Sequence, residues 1–276
     1  MWSNSVFKPE GKVNTSSTYT FRSQTNSWKT KLSTGIKGLI LPLLLLSLAE
    51  MTVRQGWIAP YLLPAPSSLW QTFLELLHAD LFSHIYISSV RVGIGFFIGS
   101  GLGLIVAIAV GLNKHIEDYL DPTLSAIKSI PSLAWIPLLL LWLGIDESSK
   151  LTLIIIGAFF PTYTNTVAAI QHVDPKLIEL GVAYNLNRFQ RIVQIILPAA
   201  LSGILTGVRN SLSLSWMFMV AAELIAATQG IGYLLSDGRE TARPDIVIVA
   251  ILLLALLGKM TDLGMKKLEQ HLLRWR

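Results

Sequence analysis

Residues 174–198 read D-P-K-L-I-E-L-G-V-A-Y-N-L-N-R-F-Q-R-I-V-Q-I-I-L-P, a polar and basic island between two long apolar runs. Asp174 followed by Pro175 is a helix start, because the carboxylate can cap free N–H groups and proline is pre-set for the first helical position. Leu177, Gly181 and Tyr184 recur at helical spacing, which leaves Lys176 and Glu179 on other faces. Asn185 suits the left-handed residue that ends such a helix. Asn187 suits the cap of a second helix, which passes Arg188 and Arg191 and runs into membrane-type sequence. The stretch therefore predicts a short helix that turns and leads into a span at a membrane surface. That shape suits docking of a soluble partner; the plainer alternative is an amphipathic helix lying on the lipid.

The composition around this island is that of an integral membrane protein. Of 276 residues, 52% are hydrophobic and 14% charged, mean hydropathy is +0.55, and a soluble protein carries about 25% charged residues. Cysteine is absent, which excludes a disulfide framework, a thiol nucleophile and a thiolate metal site. The net charge of +5 does not point to nucleic acid, because the basic residues sit in flanks and loops between spans, where membrane topology places them.

Taken in order, residues 1–34 are rich in Ser, Thr and Asn and read as a disordered cytoplasmic tail, leaving residues 35–276 as the membrane domain. Residues 35–53 form the first expected span; a signal peptide competes, with 47–49 as a cleavage site, but the polar lead-in is too long and further spans follow. Three prolines and a Ser67 or Ser68 cap open an amphipathic helix with Leu69, Phe73, Leu76 and Leu77 on one side, expected to lie on the bilayer. Residues 86–112 are the second span, where Gly95, Gly99 and Gly103 make a small-residue face that permits close helix approach. Arg91, near its outer end, either lines a pathway or snorkels to the interface. A short polar loop, 113–121, precedes the third span, 123–143, which holds Lys128, Pro131 and Pro137. The fourth span, 151–169, carries P-T-Y-T-N-T, residues 161–166. The docking stretch follows, then a fifth span, 192–222, with Arg209, Asn210 and several serines, closed by Glu223. A turn-rich loop (224–244), a sixth span (245–260) and a basic amphipathic tail complete the chain.

With the 174–198 stretch inside, both termini fall inside. Fifteen Lys and Arg then lie inside and four outside, the latter being Arg54, Lys150, Arg239 and Arg243. This bias obeys the positive-inside rule, which played no part in choosing the orientation. The sequence has no G-x-x-x-x-G-K-[ST] to cradle ATP phosphates, no H-E-x-x-H and no G-x-S-x-G elbow, and its histidines are scattered. No catalytic or metal residues are expected. The two halves are not equivalent, which argues against a self-contained secondary transporter.

The 174–198 stretch resembles the cytoplasmic coupling loop of ABC importer permeases, the EAA loop. Glu179, Leu180 and Gly181 stand for E-A-A, Asn185 for the following Gly, and Ile195, Leu197 and Pro198 fall at the expected spacing. The departures are Leu180 and Gly181 for alanines and Asn185 for glycine. From about residue 63 onward the chain is similar to importer permeases for aliphatic sulfonates, taurine, nitrate and related small oxyanions. The matching stretches include L-P-A-P-S-S-L-W-Q-T-F, I-P-S-L-A-W-I-P-L-L-L-L-W-L-G-I-D-E-S-S-K and A-E-L-I-A-A-T-Q-G-I-G-Y-L. W-L-G-I-D-E-S-S-K and A-L-L-G-K-M-T-D bring it nearest to the aliphatic sulfonate branch. The resemblance implies an all-α, six-span type I importer fold with a cytoplasmic coupling helix (loop 172–191) in the bacterial inner membrane. It also implies a second copy of the chain, two copies of a separate ATPase that bind ATP and Mg, and an extracytoplasmic solute-binding protein. No cofactor is implied for this chain. Arg91 and Arg209 are candidate attractions for the anion, with Ser132, Tyr163, Asn165, Asn210, Ser213 and Glu223 as candidate pathway residues. The alternative for each is interhelical bonding, such as Arg209 with a carboxylate. Nitrate, taurine or bicarbonate importer and secondary anion transporter remain the rival functions.

Overall fold

The computed structural model describes residues 27–59 and 61–274, with side chains from residue 40 onward apart from Pro42. Among the described residues every regular element is helical. They are α1 (Ser27–Arg54), α2 (Pro66–His78), α3 (Leu81–Leu112), α4 (Lys114–Lys128), a 3₁₀ turn (Ser132–Trp135), α5 (Ile136–Leu143) and α6 (Glu147–Gln171). Then come α7 (Pro175–Ala183), α8 (Arg188–Arg191), a π turn (Ile192–Ile196), α9 (Leu197–Ala226), α10 (Ile231–Glu240) and α11 (Pro244–Leu272). Two units divide the chain, residues 1–48 and 49–276. The expected tail lies, for residues 1–26, outside the described residues; α1 reaches back to Ser27.

Four helical stretches are long and apolar enough to cross a membrane: Leu81–Leu112, Glu147–Gln171, Arg188–Ala226 and Pro244–Leu272. A fifth is the bent pair Lys114–Lys128 and Ser132–Leu143, whose axes differ by 86°. The first expected span falls on α1, so six spans are not reached among the described residues.

The core of the second unit is the sandwich of α6 between α3 and α9. Gly95, Gly99 and Gly103 are buried on one face of α3, and a Cβ at Gly103 would stand 2.8 Å from the Phe159 carbonyl oxygen. At Gly99 it would run into the Ile155 carbonyl oxygen. Backbone meets backbone there because no side chain intervenes. On the other side of α6, Gly157 accepts the Phe218 ring of α9. The resulting cluster joins Val92, Phe96, Leu153, Ile154, Leu212, Trp216 and Met219.

Four sequence expectations change. The 113–121 loop is the first half of α4, because the Asn113 side chain caps it by accepting from the His115 N–H at 3.1 Å. The expected third span is not one continuous helix: it breaks after Lys128, where Pro131 withholds a helical N–H. The turn-rich 224–244 loop contains α10, whose caps come from other elements, as described below. The amphipathic α2 packs on protein: Phe73, Leu76 and Leu77 sit against Leu81, Ile231, Leu234 and Ile246, and the buried Thr72 hydroxyl donates to Asp245 Oδ2 at 2.7 Å.

Candidate functional site

Three places concentrate the candidate residues. The first is the short helix α7. The Asp174 side chain accepts from the Lys176 N–H at 2.9 Å, and Pro175 opens the helix. At the far end Asn185 adopts φ 54°. Its N–H donates to the Val182 carbonyl at 2.9 Å, and the Leu186 N–H donates to the Gly181 carbonyl at 3.0 Å, the double bond pattern of a Schellman stop. Asn187 and Gln190 then close a reciprocal capping box on α8. Gly181 is buried, and a Cβ there would stand 2.6 Å from Ile195 Cδ1, so α7 lies directly on the start of the following span. Leu177, Leu180, Val182 and Tyr184 are exposed, as is Glu179. The helix is held tightly from below and presents an apolar, acid-bearing face away from the bundle. The π turn sits just ahead of Pro198; its Leu197 N–H donates to the Ile192 carbonyl, and the widened turn relieves the crowding a proline ring imposes on the preceding turn.

The second place is a cavity of about 600 Å³ between the elbow after α4, α6 and α9. Its polar lining is Lys128, Ser132, Thr164, Asn165, Asn210 and Ser213, and its apolar wall includes Ile156, Phe160, Leu214 and Phe218. Asn165 donates one N–H to the Pro161 carbonyl at 2.8 Å, and Thr164 donates to the Phe160 carbonyl at 3.0 Å. Lys128, Ser132, Asn210 and Ser213 make no side-chain hydrogen bond or ion pair among the described residues. Among the described residues no carboxylate lines this cavity.

The third place is a buried charge cluster at the opposite end of α3 from its Asn113 cap. Arg91, 6% exposed, donates from Nε and Nη2 to the two Glu147 oxygens at 2.7 and 2.6 Å. Its Nη1 donates to Glu223 Oε1 and to the Gln229 carbonyl, both at 2.7 Å. Glu223, 1% exposed, also accepts from Ser88 Oγ at 2.8 Å and from the Gly232 N–H at 2.8 Å. Ser88 Oγ in turn accepts from the Ile231 N–H at 2.8 Å. His84 Nδ1 accepts from the Gly230 N–H at 2.9 Å. Side chains from α3 and α9, of which Ser88 and Glu223 are buried, thus satisfy the orphan donors at the start of α10. Gly230, at φ 126°, lies against the Glu223 carboxylate; the left-handed backbone and the contact both require glycine.

Residues 99–274 match the family described as binding-protein-dependent transport system inner membrane component. The chain is 42% identical over 242 residues to the putative aliphatic sulfonates transport permease protein SsuC of Bacillus subtilis (strain 168), covering 87% of this chain and 88% of the relative. It is 33% identical to the taurine transport system permease protein TauC of Escherichia coli (strain K12), over 79% and 82% of the two chains. Among solved structures, the inward-facing MetNI methionine ABC transporter matches with TM-score 0.61 and 19% identity, over 72% of this chain and 98% of that one. The chain belongs to the binding-protein-dependent permease family. It is a membrane permease subunit of an ABC importer, a family in which ATP is hydrolysed by a separate subunit.

Within this permease the residues singled out from sequence divide cleanly. Ser132, Asn165, Asn210 and Ser213 surround one cavity. Arg91 and Glu223 bond to one another. Tyr163, 2% exposed, donates its hydroxyl to Asp121 Oδ1 at 2.8 Å. Arg209 forms a bidentate pair with Asp262 at 2.6 and 3.0 Å. None of these last four lines the cavity. Sequence reasoning passed over Lys128 and Phe160, although a lysine beside two prolines in an apolar run was a usable signal.

Proposed function

We propose that this permease imports aliphatic sulfonates as a homodimer, receiving them from an extracytoplasmic solute-binding protein and driven by two copies of a cytoplasmic ATPase that binds ATP and Mg. Six spans per copy, with α1 as the first and both termini cytoplasmic, put α7 on the ATPase side. The observation that carries the reading is the combination in α7 of rigid fastening and an exposed face. A helix that transmits force must not yield, and its caps, its Schellman stop and the Gly181–Ile195 contact join it to the span it would move. ATP binding closes the ATPase pair, α7 follows as a rigid lever, and the pathway alternates between its two openings. In this reading Glu179, Leu180 and Gly181 form the docking turn, while Asn185, Ile195, Leu197 and Pro198 set its angle. The substrate class is supported by the sulfonate permease relative, more similar in sequence than the taurine permease.

The test is reconstitution in lipid with the cognate ATPase and binding protein, measuring ATP hydrolysis with alkanesulfonates, taurine, nitrate or bicarbonate loaded in turn. Stimulation by alkanesulfonates alone is the expected result. Anion flux that needs no ATPase would replace the reading with a secondary transporter. Glu179→Lys is expected to abolish co-purification of the ATPase, and normal recovery of the complex would remove α7 from the docking role.

A further inference from the structure

The groove between α4, α6 and α9 is open in the single chain, with Lys128, Asn210 and Ser213 exposed, and its polar inventory is one-sided. Every polar side chain on its wall can donate a hydrogen bond: an ammonium, amide N–H groups and hydroxyls. Among the described residues no acid pairs with Lys128, which ends α4 where the chain turns by 86°. An unpaired ammonium within a span faces protein interior or water rather than lipid, since lipid offers it no partner, and interrupted helix is tolerated at the same places. The same wall also carries Ile156, Phe160, Leu214 and Phe218. The groove holds about 600 Å³ and is open on one side, so an anion that bears an alkyl chain can enter it.

We propose that Lys128 is the anion-recognition residue of the pathway, pairing with the sulfonate group of a passing alkanesulfonate while Phe160 and Phe218 receive its alkyl chain. Asn210, Ser132 and Ser213 supply the remaining oxygen contacts. The proposal rests on the importer reading above and adds to it a place and a residue. A passing solute needs a site that attracts it without holding it, and one ammonium in an open groove meets that need better than a closed ring of cations.

The absence of cysteine from the chain makes a charge-replacement test direct. The full importer carrying Lys128→Cys is reconstituted in proteoliposomes, and ATP-driven uptake of ethanesulfonate is measured alongside binding-protein-stimulated ATP hydrolysis. The wild-type complex, treated with the same reagents, controls for cysteines of the partner subunits. Lys128→Cys is expected to lose at least about tenfold in uptake, the low end for a hydrogen bond to a charged group, with stimulated hydrolysis retained. Aminoethyl methanethiosulfonate, which restores a positive charge, is expected to restore uptake; the sulfonatoethyl reagent, which adds a negative one, is not. Lys128→Arg should keep most of the uptake. Full uptake by Lys128→Cys, or a loss that the cationic reagent does not repair, overturns the proposal and leaves the importer intact. Joint loss of uptake and stimulated hydrolysis assigns Lys128 to the fold and also overturns it. A wild-type complex that performs no ATP-driven ethanesulfonate uptake refutes the sulfonate importer reading itself.

Discussion

The cluster around Arg91 and the open groove beside Lys128 both set polar groups among apolar helices and treat them in opposite ways: Arg91 and Glu223 are buried, whereas Lys128, Asn210 and Ser213 are exposed in the single chain. Around Arg91 the guanidinium bonds to Glu147, to Glu223 and to the Gln229 carbonyl, and Glu223 further accepts from Ser88 and the Gly232 N–H. Beside Lys128 the ammonium, two hydroxyls and the Asn210 amide have no partner among the described residues. The contrast separates polarity consumed by the fold from polarity left for something that passes through. A charge cluster with every group satisfied resists rearrangement, whereas an unsatisfied one is available to a ligand.

The sharpest way to break this comparison is Glu223→Ala. It leaves Arg91 with Glu147 and the Gln229 carbonyl but takes away its buried carboxylate partner, and it strands the Gly232 N–H and the Ser88 hydroxyl. Leaving buried polar groups unsatisfied costs about 1–3 kcal/mol each. A large fall in thermal midpoint in detergent is expected, and a midpoint equal to wild type would show that the cluster is not holding the fold. Next in size is Gly99→Val, which pushes side chain into the Ile155 carbonyl and should cost roughly 1–3 kcal/mol as overpacking. Circular dichroism melts against the same change at Gly101, where a Cβ meets nothing within 4 Å, would expose any error in the α3–α6 contact. Asn185→Gly should stabilise by about 1 kcal/mol or less, since glycine adopts the left-handed region without penalty; a destabilised variant would show the Asn side chain doing more than turning the chain. Smallest is Ser213→Ala, expected to stay within about 0.5 kcal/mol of wild type because its exposed hydroxyl has no partner among the described residues. A marked loss of stability there would erase the distinction between the two regions.

What the sequence revealed follows the range of the interactions. The caps at Asp174, Asn185 and Asn187 act over two to five residues, so each was readable from its neighbours. The glycine face of α3 was readable from its spacing alone. α10 was not, because the groups that cap it, His84 and Ser88, lie 146 and 143 residues away along the chain. The candidate pathway residues show the same limit. Arg91, Glu223, Tyr163 and Arg209 look as available in sequence as Asn210 and Ser213 do. Their partners, Glu147, Asp121 and Asp262, sit on other elements, and nothing local announces the pairing.

The π turn at Ile192–Ile196 acts as a phase offset between two parts of the molecule. It admits one residue more than a regular turn, and one residue of α-helix corresponds to about 100° of rotation and 1.5 Å of advance. The bearing of α7, and of the Gly181–Ile195 seat beneath it, is therefore set by a count of residues as much as by any contact. Deleting one residue from this turn would keep both apolar runs intact and yet leave α7 facing a different quarter of the compass.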